Sequence, residues 1–140
     1  MAYSWLAGAV LVLWFGAVSV VDLRCGRIPN RLVVPGLTVA VAITYDDPPA
    51  ASAAVLAAAP YLAGFLAGAC GGGDVKLAPV CGAVAGDPFA ALCVVLLASL
   101  LTLGGLVVVR VGSGDSGLRG VAHGPALAAS TAVMWLLANV

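Results

Sequence analysis

Apolar residues in this chain come in long runs, and the runs are cut only where charges appear. They cover approximately 2–21, 32–45, 51–70, 77–86, 89–109 and 121–140. Between them lie DLRCGRIPNR, DDPP, GGGDVK, GDP and RVGSGDSGLR. A helix crosses a bilayer with about 20 apolar residues, and the breaks are rich in the Gly, Pro, Asn and Asp that end helices and make turns. The pattern predicts an all-α fold: a polytopic membrane bundle of six transmembrane helices, forming one domain over residues 1–140.

The fourth run, LAPVCGAVAG, is short, since a helix rises only about 1.5 Å per residue. Joining residues 77–109 into one helix would overshoot the hydrocarbon core. Gly86-Asp87-Pro88 in the middle is also a turn signal, so a hairpin with one short limb is predicted. The first run has no basic leader and is too long for a signal-peptide core, which predicts a retained first span.

Composition agrees with a lipid setting. Hydrophobic residues make up 63% and charged residues 9%, against about 25% charged in an ordinary soluble domain, and mean hydropathy is +1.15. The six basic and six acidic side chains cancel, and glutamate is absent. With no basic stripe to neutralise phosphates, nucleic-acid binding is excluded.

Charge placement then orients the bundle. With six spans, alternate loops carry Arg24, Arg27, Arg31, Lys76, Arg110 and Arg119, which are all the basic residues of the chain. The opposite loops carry only Asp46, Asp47 and Asp87. Basic loops stay inside, so both termini are placed outside. Merging the fourth and fifth spans would spoil this segregation. Glycines support close helix packing: Gly64, Gly68 and Gly72 recur every four residues, and Gly82 and Gly86 make another such pair.

The four cysteines, Cys25, Cys70, Cys81 and Cys93, form no CxxC pair. They read as small packing residues, with no metal site and no disulfide framework. No cofactor is expected.

The cytoplasmic acids are Asp22, at the end of the first span, Asp74, behind Gly71-Gly72-Gly73, and Asp115. Asp22 and Asp74 fall at the same inner mouth. Two carboxylates facing each other in a partly desolvated site share a proton, which suits them to activate water and protonate a leaving amine. Flanking glycines let a backbone approach closely. Position alone favours ordinary interfacial charges, because helix ends commonly carry charge.

A second motif shifts that balance. Asp22 is followed by Ile28-Pro29-Asn30 in DLRCGRIPN, and Gly71, Gly73, Asp74, Lys76 and Leu77 stand in GGGDVKL. Together they closely resemble the paired signature of the type IV prepilin peptidase family, GxGD aspartic proteases of the bacterial and archaeal inner membrane. The resemblance spans essentially the whole chain, since minimal members are six-span proteins of about this size. It implies an aspartic endopeptidase of the plasma membrane, with Asp22 and Asp74 as the catalytic pair and the active site facing the cytoplasm. Its substrate would be a type IV prepilin or pseudopilin, whose basic leader is cut off after a glycine ahead of the hydrophobic helix. Ile28, Pro29, Asn30, Gly71, Gly73 and Lys76 would be supporting residues.

Two departures bear on this reading. Longer members carry a cysteine-rich amino-terminal domain and methylate the new amino terminus; this chain lacks paired CxxC motifs, so methylation is not implied. Family members often show an aromatic-Gly-Pro before the last span, where this chain has Ala122-His123-Gly124-Pro125.

Other residues have plainer readings. Gly114-Asp115-Ser116-Gly117 spells a trypsin-like GDSG, but that chemistry needs a soluble β-barrel with positioned His and Asp, and a flexible loop is the sensible reading. His123 reads as a helix-start residue, Lys76 and the arginines as positive-inside anchors, and Pro29-Asn30 as the opening of the second helix. Tyr3, Trp5 and Trp135 fit interfacial or lipid-facing positions. A presenilin-like GxGD protease shares the chemistry but usually has Tyr before its first aspartate, where Val21 stands here. The competing class is a non-enzymatic membrane subunit, or a proton or ion pathway, whose carboxylates carry charge across.

Overall fold

Glycine, proline and aspartate set the helix ends. The computed structural model describes residues 2–113 and 122–139. Helices α1 (Ala2–Cys25), α2 (Asn30–Tyr45), α3 (Pro48–Leu66), α4 (Gly72–Ala85), α5 (Pro88–Ser113) and α6 (Gly124–Asn139) follow in order, and no strand occurs among the described residues. The GDSG stretch, Asp115 and Arg119 lie outside the described residues, as do the side chains of Tyr3 and Trp5.

Each boundary has a local cause. Gly26, at φ 61°, stops α1 and donates its N–H to the Asp22 carbonyl at 2.8 Å. Pro29 is the N-cap of α2, where its missing N–H costs nothing. Asp47 accepts from Ala50 N at 3.1 Å to cap α3, and Asp87 accepts from Phe89 N and Ala90 N to cap α5. Asp47 and Asp87 are therefore helix N-caps, and the third acid of these two loops, Asp46, is the C-cap of α2. Gly86, at φ 82°, closes α4 as the turn reading requires.

Three helical stretches, Leu6–Cys25, Pro48–Leu66 and Pro88–Gly112, are long and apolar enough to cross a membrane. Asn30–Tyr45 and Gly124–Ala138 are shorter apolar helices. The 14-residue α4 needs no long apolar run, because it packs against α2, α3, α5 and α6. Leu77, Ala78, Val80, Cys81, Gly82 and Ala83 on it are all buried. Leu13, Val55, Leu96, Leu100, Leu103 and Val108 point outward from the surrounding helices. Such a belt is a liability in water and a match to acyl chains. The molecule is an all-helical, multi-pass membrane protein.

Small residues bring the helices together. A Cβ on Gly82 would run into the backbone of Ala53 and Ala54 on α3. Gly36 lies beneath the Trp14 ring, whose Nε1 donates to the Leu32 carbonyl at 2.9 Å. Gly8 lies beneath Trp135, so that tryptophan packs on α1 rather than facing only lipid.

Three expectations need correction. Gly64, Gly68 and Gly72 do not form one packing ridge, because α3 ends at Leu66. Gly68, at φ 72°, lies in a turn where Ala69 N reaches the Gly64 carbonyl at 2.8 Å and Gly68 N reaches Phe65 O at 3.0 Å. That is a left-handed helix stop. The stretches 22–31 and 71–76 are also largely helical, since α1 runs through Asp22 to Cys25 and α4 begins at Gly72. Finally, the cysteines are not uniformly packing residues. Cys81 is buried, but Cys25 is exposed.

Candidate active site

Asp22 sits in the last turn of α1 and is only 7% exposed. Asp74 occupies the first turn of α4 behind the extended Gly71, where the positive end of the helix dipole favours an acid. Both line one cavity of about 830 Å³, together with Tyr61, Cys70, Thr102 and His123. Pro60 of α3 and Val95, Ser99 and Val109 of α5 extend its wall. The structure thus brings the aspartates of the two motifs to one cavity.

The two motifs are interlocked. Ile28 is buried and lies against Gly73, where an added Cβ would come within 3.2 Å of the Ile28 Cβ. Asn30, although it opens α2, does not cap it. Its Oδ1 instead accepts from Lys76 Nζ at 2.8 Å. Lys76 is thus more than a membrane anchor, because it ties the start of α4 to the start of α2. Pro29 directs the chain into that helix, and a Cβ on Gly71 would make ordinary contact with Asp74 Oδ2, at 3.5 Å.

Electrostatics act on the second of the two carboxyls. Asp74 precedes the apolar run 77–86, and burial, then the neighbouring Asp22 charge, pushes its carboxyl up to about 6. The Cys70 thiol points at Asp74 Oδ2 from 3.8 Å. Asp22 Oδ2 accepts a buried hydrogen bond at 3.0 Å from the backbone N–H of Gly124. One aspartate faces a fixed donor, and the other holds its proton to a higher pH than an ordinary carboxyl does. Such a pair can take a proton from water with one member while the other polarises a carbonyl.

Tyr61 and Thr102, which the sequence did not single out, complete the wall around His123. His123 Nε2 lies 2.7 Å from the Tyr61 hydroxyl, and Nδ1 lies 2.6 Å from Thr102 Oγ1. His123 is a helix-start residue, as expected, but it is also clamped between α3 and α5. No spacing rule links Tyr61, Thr102 and Gly124; the aromatic-Gly-Pro position was the one available signal. Among the described residues, no group of three His, Cys, Asp or Glu side chains could hold a metal ion.

Comparison with known proteins agrees with the motifs. No curated protein and no solved structure matches the chain. Residues 9–109, a stretch that holds both aspartates, both motifs and the whole of α2, α3 and α4, match the model of the type IV leader peptidase family. That is well over half of the chain, and the protein belongs to the type IV leader peptidase family, a family of proteases.

Proposed function

We propose that this chain is an aspartic endopeptidase that removes the basic leader from type IV prepilins or pseudopilins. The observation that carries the reading is the single cavity lined by both Asp22 and Asp74. The interlocking of Ile28 with Gly73 and of Asn30 with Lys76 supports it, because these contacts fix α2 against α4 beside the pair.

Chemistry follows from the asymmetry of the two carboxyls. Asp22, ionised, takes a proton from water as the water oxygen attacks the scissile carbonyl carbon. Asp74, protonated, gives its proton to the carbonyl oxygen, forming a neutral gem-diol. The C–N bond then breaks as Asp22 passes its proton to the amine nitrogen, and Asp74 regains one from the diol. No cofactor is required, and protons balance at each stage.

The membrane reading completes the function. The six apolar runs span the bilayer, the fourth of them, residues 77–86 of α4, shielded by its neighbours with Asp74 ahead of it, and the whole chain acts as one domain. Both termini lie outside, and the arginine-rich ends face the cytoplasm. A helix in lipid keeps its amides internally bonded and resists hydrolysis until unwound. The cut therefore falls where a basic cytoplasmic leader meets an apolar helix, after a glycine that disfavours helix. The inner (plasma) membrane is the site of action, and the prepilin and the lipid bilayer are the partners.

A direct test mixes membranes containing the protein with a prepilin and follows the released leader by mass spectrometry. Asp22→Asn and Asp74→Asn forms, inserted at normal levels, should release none. Release by either at the wild-type rate would refute the assignment.

A further inference from the structure

We infer that Gly124 is a positioning residue for Asp22, and that His123 is the clip that holds it in place. The inference rests on the aspartic-protease reading of the cavity. Gly124 begins α6, so its N–H belongs to the first turn and has no partner within the helix. That donor is supplied to Asp22 Oδ2 at 3.0 Å, across the interface of α6 with α1. Asp22 therefore caps α6 from another helix. The same contact fixes one carboxylate oxygen of a side chain that lines the cavity.

Only glycine permits this approach. A Cβ at position 124 would lie 2.7 Å from Asp22 Oδ2 and 3.2 Å from its Cγ. It would also sit 3.3 Å from Ile28 Cδ1. Neither Ile28, which is buried against Gly73, nor the α6 backbone can yield easily. The Asp22 side chain is the part free to rotate, so a methyl here turns the carboxylate and not the fold.

Position 123 anchors the donor. Thr102 Oγ1 donates to the Ala98 carbonyl at 2.9 Å, so toward His123 it can only accept, and Nδ1 carries the proton. Nε2 is then the acceptor for the Tyr61 hydroxyl at 2.7 Å. Burial also holds the imidazole below the ordinary histidine range, in keeping with a neutral ring. A neutral ring with both nitrogens satisfied, one on α3 and one on α5, leaves its backbone little freedom. The next residue along is Gly124.

The test uses the full chain in membranes with a prepilin substrate and measures kcat and KM separately. Gly124→Ala should lower kcat about a hundredfold, in line with the effect of a misplacement of about 1 Å, with KM and melting temperature unchanged. Thr102→Val should lower kcat about tenfold or more, and Thr102→Ser, which keeps the acceptor, should restore it. A purely structural role predicts losses that follow the melting temperature, with no such rescue. Wild-type kcat in Gly124→Ala, or equal kcat in the Val and Ser forms, overturns the inference. Should Gly124→Ala fail to insert, the Thr102 pair decides alone. Asp22→Asn and Asp74→Asn are run in parallel. If they are inactive while Gly124→Ala is normal, only the positioning role falls; if they remain active, the protease reading itself falls.

Discussion

At the scale of single residues, the chemistry turns on where one proton sits. Asp74, ahead of the apolar run 77–86, has its carboxyl pushed up to about 6 by burial first and by the Asp22 charge second. A carboxyl raised in this way keeps its proton until the pH passes that value. Leader release should therefore decline as pH rises through about 6, and a flat profile from weakly acidic to weakly alkaline pH would contradict the assignment of Asp74 as the proton donor. The same sign governs stability. The folded chain binds this proton more tightly than the unfolded chain does, so the benefit is complete below the ordinary carboxyl range and is lost as pH climbs through about 6. Asp74→Asn cannot ionise. It should melt above the wild type at alkaline pH and level with it at acidic pH, as read by thermal unfolding in detergent. Both aspartates were legible in the sequence because each sits in a motif with a glycine or a proline at fixed offset. Tyr61, Thr102 and Gly124 were not, because they converge from α3, α5 and α6 and no local spacing connects them.

At the scale of elements, the apolar runs located all six helices, since charge and turn residues fall wherever a helix must stop. Boundaries moved where a charge could stay helical, as at Asp22 in the last turn of α1 and Asp74 in the first turn of α4. Glycine spacing was a weaker guide. Gly82 does allow close approach, to the α3 backbone at Ala53, whereas Gly68 and Gly86 have positive φ and terminate helices. A period of four cannot distinguish these uses, because both place glycine about one turn apart. The difference is measurable. Gly82→Ala puts a methyl against backbone atoms that cannot rotate away, so it should cost about 1–3 kcal/mol, the usual range for overpacking. Gly104→Ala on α5, with nothing within 4 Å of its Cβ position, should be neutral or stabilise by up to about 1 kcal/mol. Thermal melts of the two variants side by side check this, and equal effects would contradict the packing described for α3 and α4.

At the scale of the whole molecule, helix ends alternate so that Asp22, Asn30, Lys76 and His123 gather at one end. Asp47 and Asp87 cap helices at the other. The segregation of charge made this alternation readable from sequence. The placing of α6 against α1, which aligns Gly124 with Asp22, was not readable, because neither helix carries a polar signal for the other before the chain folds. Cys25 is exposed at the basic end, and this provides a native reporter of orientation. A form keeping Cys25 as its sole cysteine should react with an impermeant maleimide from the cytoplasmic side, and labelling from the outside alone would reverse the proposed topology. The central claim, however, is that Asp22 and Asp74 act as one unit on a peptide bond, and a comparison of single and double variants tests it most directly. Leader-release rates would be measured for Asp22→Asn, Asp74→Asn and the double variant at matched membrane levels. If the two carboxyls work as a unit, each single change should cost at least about a thousandfold and the double change no more than either, the non-additivity expected of groups sharing one step. Single variants within about tenfold of wild type, or losses that multiply in the double variant, would contradict it.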